Sequence, residues 1–356
     1  MLKAGPLLLP SFTSSHPVPQ GRRASQSLQR RHFDEANLRL AFTAARRGTA
    51  ARRIAGIPSI LGYGPFDLSW LQLLPSRESM ALRLMKRIDL AYELHPTPRN
   101  GGAANVLLHE IISSGTGAYI EHLEYFISIR DEFFAIRDLF DASTPTMPHW
   151  DNGFLPGLDI VSLHGLLRRH NPETYLEVGS GNSTKVARRC IEMHKLQTKI
   201  VSIDPHPRAE VDAICDRVLR TGFEEAGLEQ ALALKAGDFL FFDGTHYAYM
   251  NSDTTVFFLE VLPRLKPGVL VQVHDICLPY DYPAEWSDRF YSEQYLLASA
   301  LLFGADRFSI TLPNTFISQD PQLWRPRAKL WDDSRLRSVA QKAGVSFWFS
   351  VHEASW

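Results

Sequence analysis

Apolar residues change their spacing along this chain of 356 residues. From Asn105 to Asp141 they recur every three or four positions. In EHLEYFISIRDEFFAIRDLFD, residues Leu123, Phe126, Ile127, Phe133, Phe134, Ile136 and Phe140 share one broad stripe, which predicts helix packed on a core or an interface. Beyond Pro172 short apolar runs alternate with stretches of helical spacing. TYLEV (174–178), KIVSID (199–204), RVLR (217–220), DFLFFD (238–243) and GVLVQVHD (268–275) each read as a buried strand. Strand–helix repetition of this kind means a parallel sheet covered on both faces. Ligands of such sheets sit beyond the carboxyl ends of the strands, so the chemistry is sought there.

Before Asn105 the pattern is weaker. Helix-compatible pieces, DEANLRLAFTAARR and SRESMALRLMKRIDLAYEL, are separated by IPSILGYGPFD and closed by HPTPRNGG. That cluster predicts an N-terminal helical region over 34–103 and a domain over 104–356, whose part from 104 to 170 is a helical lead-in. The first 33 residues lack any acid and are rich in Arg, Ser and Pro, which reads as a basic, disordered tail, the alternative being an organellar transit peptide. The formal charge of -1 hides this asymmetry, because residues 1–60 hold Lys3 and nine arginines against only Asp34 and Glu35. Without interleaved aromatics the arginine pairs read as solvated charge, so no nucleic-acid partner is expected.

With 45% hydrophobic and 22% charged residues the chain can bury an enzyme-sized core. No run of 18 apolar residues exists, so no membrane span is expected. Cys190, Cys215 and Cys277 are too few and too scattered for a disulfide framework or a zinc site, read as buried apolar residues, and suit a reducing, cytoplasmic compartment.

Read in order, the strand ends offer Glu177-Val-Gly179-Ser180-Gly181, then Asp204, then Gly222-Phe223-Glu224, then Asp243-Gly-Thr-His246, then His274-Asp275. GSGNSTK lacks the spacing of a phosphate-cradling G-x-x-x-x-G-K-[ST] loop, and Thr184 stands where a dinucleotide fingerprint needs its third glycine. Glycines at 179 and 181 still let the backbone approach a ligand, with main-chain N–H groups of the following helix free for a carboxylate. An acid at 177 suits an ammonium group, and Asp204 can accept ribose hydroxyls, its alternative being a helix cap before Pro205. Phe223 reads either as an adenine contact or as filler between helix and sheet. A ligand with carboxylate, ammonium and ribose is S-adenosylmethionine.

YLEVGSGNSTKVA, VSIDPHP, FLFFDGTHYAYMNSD, LPRLKPGVLVQVHDICLPYDYPAEW, YSEQYLLASALLFG and VSFWFSVHE together resemble the class I S-adenosylmethionine-dependent methyltransferases from about Trp150 to Glu353. More narrowly they resemble the bacterial subgroup of macrocin-type and sugar O-methyltransferases. The resemblance implies a doubly wound, mostly parallel, seven-stranded Rossmann-like sheet. It implies that Glu177, Gly179, Ser180, Gly181, Ser183 and Asp204 bind the cofactor, with Asp243 and His246 beside the transferred methyl. Metal-dependent relatives offer an extra carboxylate or amide next to the fifth-strand acid, whereas Asp275 here lies between His274 and Ile276.

Methyl transfer from a sulfonium is an in-line displacement, so alignment is the main task. A hydroxyl acceptor also needs a general base or a Lewis-acidic metal. His246 is the best placed base, with His274 second and Asp243 beside both. Asp243 and Asp275 with one histidine would suit Mg²⁺ or Mn²⁺. Tyr247, Tyr280, Tyr282 and Trp286 would line the rim and stack on a sugar. The expected activity is O-methylation of a small hydroxylated acceptor such as a sugar or secondary metabolite. The alternatives are a nicotinamide-dependent oxidoreductase and a non-catalytic scaffold, and the N-terminal helices leave a homodimer open.

Overall fold

The structure is a computed structural model that describes residues 96–207 and 211–352. The predicted basic tail, and the helical region before residue 96, lie outside the described residues. Helices α1 (Val106–Ser113) and α2 (Thr116–Ser128) come first, and Asn105 caps α1 by accepting from the Leu108 N–H. After a 3₁₀ turn at Arg130–Ala135 and an irregular stretch, helix α3 (Gly157–His170) leads into strand β1 (Thr174–Val178). Helix α4 (Asn182–His194), β2 (Lys199–Ile203), β3 (Arg217–Leu219), α5 (Phe223–Ala233) and β4 (Phe239–Phe242) follow. Helix α6 (Asp253–Val256) widens into a π turn before β5 (Leu270–Val273). The remainder is α7 (Glu293–Gly304), β6 (Phe308–Pro313), α8 (Asn314–Gln319), α9 (Trp324–Leu330) and β7 (Phe347–Val351).

The strands make one sheet in the order β3-β2-β1-β4-β5-β7-β6. Strands β1 to β5 pair in parallel and β7 runs antiparallel between β5 and β6. From β1 the chain steps outward one way to β2 and β3, then returns and steps the other way through β4 and β5. Right-handed crossovers in opposite directions put helices on opposite faces, which is why FLFF of β4 is buried at every position rather than alternating. The reversal between β1 and β4 is the switch point where a doubly wound sheet opens a ligand crevice.

The helical spacing expected through Asp141 is not followed that far. Helix α2 stops at Ser128, whose hydroxyl turns back to the Tyr125 carbonyl, and the Glu132 side chain is drawn to His164 and His194. Leu123, Phe126 and Phe133 are buried as the stripe predicts, but Phe140 is 55% exposed and Arg137 instead pairs with His149 in an isolated bridge. Cys190 and Cys277 are buried and Cys215 half-buried. Among the described residues no helix is long and apolar enough to cross a membrane.

Candidate active site

At the end of β1 the chain makes a contact that only glycine permits. Gly179 has φ +79°, and a Cβ there would stand 1.9 Å from the Asp243 carbonyl oxygen, so β1 and β4 meet at their carboxyl ends through bare backbone. The Gly179 N–H donates to the Ile203 carbonyl at 3.1 Å and the Asp243 N–H to Val178 at 2.9 Å. Ser180 donates its N–H to Asp204 Oδ2 at 2.8 Å, while Asp204 Oδ1 accepts from the His206 N–H at 2.7 Å. Asp204 thus closes a turn beyond β2 and is tied to the glycine loop, with further lone pairs on each oxygen. At Gly181 an added Cβ would meet nothing within 4 Å, so the loop faces open space where α4 presents its unpaired first-turn N–H groups.

Glu177 lies beneath this loop, not on it. It is fully buried, its oxygens accepting from the Tyr175 and Thr184 hydroxyls, with Ser183 buried beside them. Burial, only partly offset by these hydroxyls, pushes its pKa up to about 7. Ser180 Oγ pairs with Ser202 Oγ underneath the loop as well. Phe223 is a correction to the sequence reading as an adenine contact. It is 2% exposed and lies edge-on to Phe242 at 5.5 Å, with Phe257 beyond, so it fills the gap between α5 and the sheet and offers no free face.

The β4 and β5 ends bring the remaining candidates together. Asp253, at the start of α6, accepts from the Thr245 N–H at 2.7 Å and the Thr245 hydroxyl at 2.6 Å, which fixes the loop that carries His246. His246 is buried with φ +69°, and Asp275 has φ +54°, left-handed conformations that side chains other than glycine rarely adopt. His246 Nδ1 pairs with Glu293 Oε1 at 2.5 Å. Its Nε2 then points between Asp243 and Asp275, at 3.5 and 3.7 Å. His274 Nδ1 faces the same two carboxylates at 3.6 and 3.4 Å, and its Nε2 faces Asp159 Oδ2 at 3.4 Å without hydrogen-bond alignment.

Burial by itself lowers the pKa of His246, but Glu293, then Asp275 and Asp243, outweigh it and push the histidine up to about 9. Burial likewise works against His274, yet Asp243, Asp275 and Asp159 carry it up to about 10. Burial raises Glu293 to about 7 despite its imidazole partner. Asp159, in the first turn of α3, accepts from Asn314 Nδ2 and from the Val345 and Ser346 N–H groups, and so ties α3 to the approach of β7 behind His274.

Glu293 and Asp159 were not singled out from the sequence, because neither lies at a strand end. Glu293 opens α7 in SEQYLLASALLFG, and a lone acid buried at the head of an apolar helix is the signal that marks it. Tyr291 packs on His246 with ring centroids 4.3 Å apart. Beside it lies a cleft open to solvent and lined by Asp281, Tyr282, Trp286, Phe290, Tyr291 and Tyr295. Tyr282 and Trp286 are therefore at the rim as expected, stacked at 6.0 Å, with the Arg289 guanidinium 4.2 Å over the Trp286 ring. Tyr247 joins the rim edge-on to Tyr291. Tyr280 is half-buried and does not line this cleft.

Residues 176–276 match a protein family described as a methyltransferase domain. No curated protein sequence matches the chain. Among solved structures the chain is similar to an O-methyltransferase from Bacillus cereus in complex with SAH, at 15% identity over 65% of this chain and 91% of that one, with a TM-score of 0.31. It is also similar to the plantazolicin methyltransferase BamL, at 12% identity over 69% of this chain and 100% of that one, with a TM-score of 0.34.

Proposed function

We propose, from the premise that this chain carries a class I methyltransferase domain at residues 176–276, that it moves a methyl group from S-adenosylmethionine to a hydroxyl oxygen of a small acceptor. The acceptor class we favour is a sugar or a hydroxylated secondary metabolite. The observation that carries this reading is the aim of His246: Glu293 holds Nδ1, and Nε2 faces the crevice between Asp243 and Asp275.

The cofactor cradle fits the chain's own atoms. The open space at Gly181 and the first turn of α4 suit the carboxylate of an amino-acid tail, and Asp204 keeps lone pairs for a ribose diol. Asp243, whose backbone is locked to Gly179, would offer its carboxylate to a bound sulfonium. When bound, the cofactor supplies an electrophilic methyl carbon. The chain's task is then to align an acceptor oxygen with it and to take up the hydroxyl proton.

His246 Nε2 is the proton acceptor in this account. Its pKa, raised to about 9 by the surrounding carboxylates, means that the base form has to be released. Positive charge bound beside Asp243 and Asp275 would weaken their hold on the imidazolium and release it. Asp243 and Asp275 also offer hard oxygen donors on either side of the two imidazoles. They would hold a Mg²⁺ or Mn²⁺ ion there, whose positive charge would acidify the hydroxyl. The aromatic cleft against Tyr291 supports a ring-shaped acceptor, because Trp286 and the tyrosines offer flat apolar faces while Asp281 supplies polar contacts.

Replacing His246 by alanine tests the base directly. Turnover with an accepted hydroxyl substrate should fall by about 10²–10⁴-fold, the usual contribution of a positioned base, with cofactor affinity retained. Turnover that stays within a factor of about three removes His246 from the chemistry.

A further inference from the structure

Away from this crevice, four side chains of metal-ligating type meet between the turn that follows α2 and the helices α3 and α4. Cys190 and His194 are one turn apart on α4 and so share a face. His164 reaches them from α3, and ligand atoms of these three residues all lie within 4.8 Å of one another. Glu132, on the 3₁₀ turn, puts Oε2 at 2.9 Å from both His164 Nε2 and His194 Nε2. The two rings stand nearly perpendicular, 79° apart with centroids separated by 5.5 Å, and both Nε2 atoms are directed at Glu132 Oε2.

We propose that this cluster is a structural zinc site, with Cys190 Sγ, the two imidazoles and Glu132 Oε2 as its four ligands. One sulfur, two nitrogens and one oxygen from three separate elements make a closed tetrahedral set of the kind Zn²⁺ prefers. The sequence reading of the cysteines as too scattered for zinc missed it, because three of the four ligands are not cysteines and two of those lie outside α4.

Two further features fit. Arg168 Nε holds Glu132 Oε1 at 3.1 Å, which fixes the carboxylate and leaves Oε2 turned to the histidines. A small pocket lined by Ile136, Met147 and Met193 touches Glu132 and His164 of the cluster. As the Zn–S bond forms, the Cys190 thiol gives up its proton to solvent.

The site stands at the far end of α4 from the glycine loop. Eight residues separate Asn182 from Cys190, about 12 Å along the axis. Its role is to pin the turn after α2 onto α3 and α4, so it does not depend on the catalytic reading.

Titration of the metal-free full-length chain with Co²⁺ tests it. One equivalent should give tetrahedral visible bands together with a near-ultraviolet thiolate-to-cobalt charge-transfer band, and Zn²⁺ should displace both. Cys190→Ser should abolish the charge-transfer band, and Cys215→Ser and Cys277→Ser should keep it. Where Cys190→Ser does not fold, His194→Gln decides the matter at a partly exposed position, with cobalt affinity expected to fall at least tenfold. Absence of the band at one equivalent, its survival in Cys190→Ser, or unchanged affinity in His194→Gln overturns the proposal and leaves a hydrogen-bonded cluster without metal.

Discussion

Exchange of Glu293 for glutamine probes the histidine with little change of shape. The amide oxygen still accepts from Nδ1–H, and one negative charge 2.5 Å from the ring disappears. Three carboxylates hold the imidazolium, at 2.5, 3.5 and 3.7 Å, and weighting by inverse distance gives Glu293 roughly two fifths of the attraction. The rise of His246 from 6.5 to about 9 is worth roughly 3 kcal/mol, net of the burial that opposes it. Two fifths of that is on the order of 1 kcal/mol, close to a tenfold loss of imidazolium, so the midpoint should fall by about one pH unit. The assay is an NMR titration of the His246 ring proton in the cofactor-free protein. The acid limb of the kcat/KM profile in turnover should move the same way. A midpoint that stays in place or rises refutes the electrostatic reasoning.

Gly179→Ala should cost about 3 kcal/mol or more in urea unfolding and abolish cofactor binding, because a Cβ 1.9 Å from a backbone oxygen forces β1 and β4 apart at φ +79°. Stability should also decline as pH rises. The two buried carboxyls, Glu177 and Glu293, prefer their neutral form in the fold, a contribution present below 4.5 and lost through about 7. His246 and His274 prefer their charged form, a contribution present below 6.5 and lost through about 9 and about 10. All four therefore act in one direction, and a melting temperature that climbs between pH 7 and 10 contradicts them.

Much of the crevice was legible because burial on both faces leaves a plain mark. FLFF is an unbroken apolar run, and among the residues at the strand ends Gly179 abuts the Asp243 backbone, Asp204 is tied to Ser180, and His246 faces Asp243 and Asp275. What the strand-end pattern hides is support from elsewhere in the chain. Glu293 stands 47 residues beyond His246, and Asp159 precedes the sheet entirely, so only tertiary packing brings them to the histidines. Phe223 misled for the opposite reason: a phenylalanine after a strand end looks the same whether it faces a ligand or the core. The stripe through Phe140 overran its helix because local spacing does not register the pull of Glu132 toward two distant histidines.

The central claim is that the loop from Gly179 to Gly181, together with Asp204, holds an adenosine-bearing sulfonium cofactor. Calorimetric titration of the full-length chain with S-adenosylhomocysteine tests it most directly. The account predicts one site per chain, weakened at least tenfold in Asp204→Ala, where the tie between the glycine loop and the β2 end is lost. No heat of binding with the folded wild-type chain, or an affinity indifferent to Asp204, contradicts it.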